Sequence, residues 1–156
     1  MSITVRDASA ADQAFLLEVY ASTRAHEMAL VPWTDEQREA FVKMQFAAQH
    51  AHYYEQYPEA DFKLILQNGE PVGRIYLFRD QATIRILDIT ILPRYRNAGI
   101  GTTLLREIMS EATLSGKAVQ IYVEHFNPSL RLFERLGFSM IEQDGINLLL
   151  ECRPPA

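Results

Sequence analysis

Leu87-Asp88-Ile89-Thr90-Ile91-Leu92-Pro93-Arg94-Tyr95-Arg96-Asn97-Ala98-Gly99-Ile100-Gly101-Thr102 runs from an apolar strand, through a proline and a basic loop with two spaced glycines, into an amphipathic helix. Glycines let the main chain approach an anion closely, and a helix start aims unpaired N–H groups at it. The stretch reads as a backbone cradle for a pyrophosphate. Two better-known phosphate signatures do not fit. No G-x-x-x-x-G-K-[ST] occurs in the chain. Leu104 stands where a dinucleotide fingerprint needs a third small residue after Gly99 and Gly101.

Outward from this stretch the pattern alternates between the two periods of secondary structure. Upstream, Ile3 to Arg6 predicts a strand, and Ser9 to Asp12 a capped helix start followed by Phe15, Leu16, Val19 and Tyr20 at helical spacing. A loop is expected through Met28, Pro32 and Trp33. Thr34-Asp35-Glu36-Gln37 is a capping box opening a second helix, with Phe41, Met44 and Ala48 on one face, fading before Pro58. Asn68-Gly69 predicts a hairpin turn between strands 62–67 and 72–78. The strand from Thr83 to Leu92 is nearly apolar on both faces and should be central. Downstream, a helix is expected from about Gly101 to Ser115, stopped by Gly116, and then a strand from Val119 to Val123. Asn127 caps a short helix with Pro128 at its first position, and two last strands flank Asp144-Gly145. The sum is a mixed sheet with helices on both sides, in the order β-α-α-β-β-β-α-β-α-β-β, and residues 1–156 are expected to form a single domain.

The composition bounds function more loosely. With 48% hydrophobic and 22% charged residues the chain is ordinary for a globular protein. No apolar run approaches the ~20 residues of a membrane span, and the first residues lack a signal-peptide layout. Cys152 is the single cysteine, so no internal disulfide forms, which fits a reducing compartment and a cytoplasmic location. A net charge of −5 argues against a nucleic-acid partner. His50 and His52 point to different helix faces and His26 and His125 are isolated, so no metal site is expected.

The loop also spells R-x-x-G-x-G, as Arg96-Asn97-Ala98-Gly99-Ile100-Gly101, after a strand ending in Leu92-Pro93. A second motif follows one helix and one strand later: Asn127-Pro128-Ser129-Leu130-Arg131-Leu132-Phe133-Glu134-Arg135-Leu136-Gly137-Phe138. Together they resemble the acetyl-CoA loop and the N-P-A-x-x-L-Y-x-x-x-G-F helix of the GNAT superfamily of N-acetyltransferases. The resemblance implies that topology, acetyl-CoA as cofactor and a primary amine as acceptor. It implies that backbone amides at Ile91 and Leu92 face the pantetheine and thioester, and that Arg96, Asn97, Ala98, Gly99, Ile100, Gly101 and Thr102 cradle the pyrophosphate. Asn127 is implied to reach the pantetheine arm, besides capping its helix. Phe133 stands where the family has the tyrosine that protonates the departing thiolate, so it lines the channel without a proton to give. Both familiar positions for a glutamate base are occupied otherwise, by Tyr122 and by Arg85.

Candidates for the missing proton transfers come from the residues themselves. Asp88 is a carboxylate in an apolar run, costly unless used or bonded. Tyr122 and Glu124 share one face of the next strand. Glu27 and Trp33, an acid and an aromatic in the loop expected over the acceptor, suit a cationic amine. An edge among the C-terminal strands offers a second copy of the chain a place to pair, making a homodimer. Two readings of function stay open here. One is an N-acetyltransferase working by direct attack; the other is a CoA-binding sensor or partner module that has lost catalysis, motivated by Phe133 and the absent glutamates.

Overall fold

The hairpin turn foreseen at Asn68-Gly69 forms with both residues at positive φ, 50° and 84°, the left-handed pair that matches strand twist. The computed structural model describes residues 2–154. In chain order it contains β1 (Ile3–Asp7), α1 (Gln13–Ala29), α2 (Asp35–Gln56), β2 (Asp61–Gln67), β3 (Glu70–Arg79), β4 (Thr83–Ile91), α3 (Ile100–Ser115), β5 (Ala118–Glu124), α4 (Leu130–Arg135), β6 (Ser139–Asp144) and β7 (Asn147–Cys152). The seven strands form one sheet in the order β1-β2-β3-β4-β5-β7-β6, with β4 in the middle. The expected element order holds throughout.

The residues group into two compact units, Met1–Arg74 with Thr90–Arg96, and Ile75–Ile89 with Asn97–Ala156. In the first, Leu16 and Tyr20 of α1 meet Val42 and Phe46 of α2 and Leu64 of β2 in one cluster. The helix starts are set by side chains. Thr34 accepts the Gln37 amide and Gln37 answers to the Thr34 amide, closing the capping box read from sequence. Asp12 accepts two bonds from Arg6, at 2.9 and 3.0 Å, and one from the Ser9 amide at 2.8 Å. The Arg6 guanidinium, helped by Ser9, holds the Asp12 carboxyl down at about 2. A carboxyl lowered in the folded state stabilises above its unfolded pKa, near 4, and that stability is lost as pH falls from about 4 towards 2. Asp12→Asn should therefore flatten the acid limb of a plot of urea midpoint against pH while lowering the neutral plateau. An acid limb unchanged in Asp12→Asn would show that other carboxyls carry it.

In the second unit α3 buries one stripe, Ile100, Leu104, Leu105, Ile108 and Ala112. β5 alternates: Val119, Ile121 and Val123 are buried, while Tyr122 and Glu124 are exposed on the opposite face. β4 and β5 pair in parallel from Thr83 opposite Ala118 to Ile86 opposite Ile121. That register ends at Ile86 and Ile121, while β5 continues along its antiparallel partner β7, with Tyr122 opposite Leu149 and Glu124 opposite Asn147.

Three local expectations are corrected. Helix α1 runs on to Ala29, so Glu27 and Met28 are helical and not in the loop. The inward face of α2 is Val42 and Phe46. Met44 is 61% exposed, and the Phe41 ring meets Trp33 edge-on at 5.2 Å. The last helix begins at Leu130 with Ser129 as its N-cap. Asn127 instead closes a turn ahead of it, its Oδ1 accepting the Ser129 amide at 2.8 Å.

Candidate functional site

The end of β4 is built on a close approach that the sequence reading passed over. Gly73 of β3 lies so near the Thr90 carbonyl that a Cβ placed on it would sit 2.2 Å from that oxygen and 3.0 Å from the Ile91 Cα. One residue along, the Leu92 amide donates to the Val72 carbonyl at 2.9 Å. That bond corrects one expectation: with its N–H spent on β3, its carbonyl taken by the Tyr95 amide at 2.9 Å and its side chain 1% exposed, Leu92 is a structural residue. Ile91 turns its backbone groups to the other edge of the strand. Its carbonyl accepts Arg96 Nε at 2.9 Å, so the arginine folds back and ties the loop to the strand end.

A single turn of 3-10 helix at Pro93–Tyr95 reverses the chain. Asn97 at φ 63° and Gly99 at φ 81° then bend the backbone twice into the left-handed region. Gly99 is the N-cap of α3, and being glycine it offers no side-chain cap. The first intrahelical bond runs from the Thr103 amide to the Gly99 carbonyl at 3.0 Å, so the amides of Ile100, Gly101 and Thr102 precede the helix ladder. A Cβ on Gly99 would meet nothing within 4 Å. Between Pro93 and Thr102 the charged residues are Arg94 and Arg96, with no carboxylate. Bare amides at a helix start, open space above a left-handed glycine and a basic surround are what a pyrophosphate requires. The residues fit the cofactor. The Ile100 side chain is 1% exposed in the core, so only its main chain is available at the helix start.

The Acetyltransferase (GNAT) family matches residues 24–138. The chain belongs to that family. Its members use acetyl-CoA. PaiA N-acetyltransferase of Thermoplasma acidophilum, solved with coenzyme A, superposes with a TM-score of 0.72 at 21% identity, over 98% of this chain and 99% of that one. A GNAT-family acetyltransferase of Staphylococcus aureus Mu50 gives 0.67 at 17%, over 99% and 100%. Ard1 of Thermoplasma volcanium gives 0.63 at 19%, over the whole of both. At these identities the likenesses speak for the fold alone. Among curated proteins none matches significantly.

The remaining candidates separate by environment. Asp88, half-buried, follows the last β4 residue paired with β5, and Tyr122 and Glu124 follow the last β5 residue paired with β4. All three thus border the parting of the two strands. Phe133 is 3% exposed and meets Phe138 edge-on at 5.4 Å, an apolar wall. Glu27 is paired with Arg24 at 3.2 Å, and Trp33 with Phe41; neither contact involves the other residue. Among the described residues no group of His, Cys, Asp and Glu could hold a metal, and no helix is long and apolar enough to cross a membrane.

Proposed function

We propose that this protein transfers the acetyl group of acetyl-CoA to a primary amine by direct attack, with no covalent enzyme intermediate. The observation that carries the reading is the uncapped start of α3 behind the doubly bent loop Arg96–Gly99, in a chain of the GNAT family. When bound, acetyl-CoA supplies the activated acetyl group. The protein's residues bind and orient. The amides of Ile100, Gly101 and Thr102 hold the diphosphate, and Arg96, its Nε committed to Ile91, keeps its outer nitrogens for the same anion. Asn127 has its oxygen engaged by Ser129 and its amide nitrogen left to donate to the pantetheine arm. Phe133 shapes an apolar wall and moves no proton.

Proton handling falls to the residues at the parting of β4 and β5. Tyr122 carries the proton that the departing thiolate takes up, and Glu124 or Asp88 accepts the proton of the amine. Trp33 covers the acceptor. Glu27, already neutralised by Arg24, contributes less to holding a cation than a free carboxylate would. The single cysteine supports a cytoplasmic location. One observation favours the second reading, a CoA-binding module without catalysis: the buried Phe133 removes the family's proton donor.

Two measurements decide between them. Acetyl-CoA at ~100 times its Kd stabilises by about 2.7 kcal/mol, a rise of roughly 5–10 °C in Tm for a chain of this size, whereas NAD and ATP should do little. Thiol release from acetyl-CoA is then followed across amino acids, polyamines, aminoglycosides and peptide N-termini. Release with any of them supports transfer. Binding without release across the panel supports the module, and no thermal shift overturns both.

A further inference from the structure

A chain of polar side chains crosses the exposed face of β5. Arg85 of β4 donates through Nη2 to Gln120 Oε1 at 2.7 Å. Gln120 donates through Nε2 to Glu151 Oε2, also at 2.7 Å. Glu151, on β7, is 4% exposed, and its other oxygen takes Arg153 Nε at 2.5 Å. The glutamine amide is thereby polarised in one direction, oxygen to the guanidinium and nitrogen to the carboxylate. At the near end the Arg85 guanidinium carbon lies 5.4 Å from the centroid of the Tyr122 ring. Tyr122 is 51% exposed, and its hydroxyl has no hydrogen-bond partner among the described residues.

A carboxylate buried in a strand is costly unless it is paired, and here the pairing is spent on fixing an arginine. A planar guanidinium can bond along one edge while its face lies on an aromatic ring, which an ammonium cannot do. A phenol on an open strand face would otherwise exchange between rotamers. We infer that Arg85 is a positioning residue: with Gln120 and Glu151 behind it, it holds the Tyr122 ring and leaves the phenol hydroxyl free to work. This rests on the transferase reading, which gives Tyr122 its proton. It also explains why an arginine occupies a position where some relatives would carry a base. Ordering the donor before the reaction lowers the cost of reaching the productive geometry.

The test uses protein labelled with 3-fluorotyrosine, in which Tyr122→Phe identifies one fluorine resonance. Arg85→Met should move that resonance and leave the other tyrosines in place. Arg85→Lys should behave like Arg85→Met, and Gln120→Leu, which removes the bond behind the guanidinium but leaves the guanidinium itself beside the ring, should move the line less. Turnover is read by thiol release with the best amine of the panel. Arg85→Met should lower kcat about 10-fold with KM for acetyl-CoA within about twofold, and should have no further effect in a Tyr122→Phe background. A fluorine line unmoved in a folded Arg85→Met overturns the inference, as does a full additional loss in the double variant. If native protein releases no thiol with any amine while the line still moves, the transferase reading fails and the clamp on Tyr122 stands.

Discussion

Gly99→Val should bind acetyl-CoA on the order of 100-fold more weakly than the native protein, equivalent to about 2.7 kcal/mol. Two effects of the side chain have to be separated. At φ 81° any L-residue is strained by roughly 1–2 kcal/mol, which lowers stability wherever it occurs. The second effect belongs to this position: the new side chain enters open space at the start of α3, where a Cβ meets nothing within 4 Å beyond its chain neighbours, and where the proposed cofactor site lies. Gly116, the C-cap of α3 at φ 69°, provides the control, since a Cβ there also meets nothing within 4 Å. Gly116→Val bears the same backbone strain at the opposite end of the same helix. Both variants should lose similar Tm, and only Gly99→Val should lose the acetyl-CoA-induced rise. Calorimetric titration with CoA gives the affinities directly. Equal CoA affinity in the two folded variants would show that the loop is a structural helix entry, and the assignment of the pyrophosphate to it would be wrong.

What the sequence made legible follows from where information is local. Turns and caps depend on a few adjacent residues. Asn68-Gly69, the Thr34–Gln37 box and the Gly99 entry to α3 were therefore readable, and each forms as expected. The inward face of α2 was misread by one position because Phe41 is as apolar as Phe46. Phe41 is half-buried against the edge of Trp33, and Val42 and Phe46 take the buried positions. Leu92 failed for a related reason. An apolar residue at a strand end looks the same whether its amide is free or bonded, and the bond to Val72 spans twenty positions of sequence. The polar chain from Arg85 to Glu151 was hidden for the same cause, although Glu151 after Leu148-Leu149-Leu150 is a signal: an acid closing a buried strand needs a partner. Gly73 gave a similar warning, since glycine inside a strand marks a bulge or a close backbone approach. The three residues proposed for proton transfer were legible only as strand positions. That Asp88, Tyr122 and Glu124 border the parting of β4 and β5 depends on the ladder ending at Ile86 and Ile121, which no single strand's pattern records.

The second large effect is expected at that glycine. Gly73→Ala adds one methyl group, and on almost any exposed strand it would be neutral or mildly stabilising, because alanine restricts the unfolded chain. Here the methyl carbon would be built 2.2 Å from the Thr90 carbonyl oxygen and 3.0 Å from the Ile91 Cα. Both contacts are backbone, so no side chain can rotate away, and the relief must come from moving one strand off the other. Overpacking of this kind costs about 3 kcal/mol, or roughly 10 °C of Tm for a chain of this length. The displacement has a further consequence. The bond from the Leu92 amide to the Val72 carbonyl is adjacent to the clash, and Ile91 anchors Arg96 through its carbonyl. Moving the end of β4 therefore also moves the tether of the loop proposed to hold the pyrophosphate. Gly73→Ala should lose both stability and acetyl-CoA affinity, whereas Gly69→Ala, strained at φ 84° but with open space around it, should lose stability alone. Urea unfolding gives the first quantity and CoA titration the second. A Gly73→Ala protein with native stability would mean that β3 and β4 lie farther apart than described. One that is destabilised yet binds CoA as tightly as native would separate the strand end from the loop, leaving Arg96 and the α3 amides to hold the cofactor without help from β4.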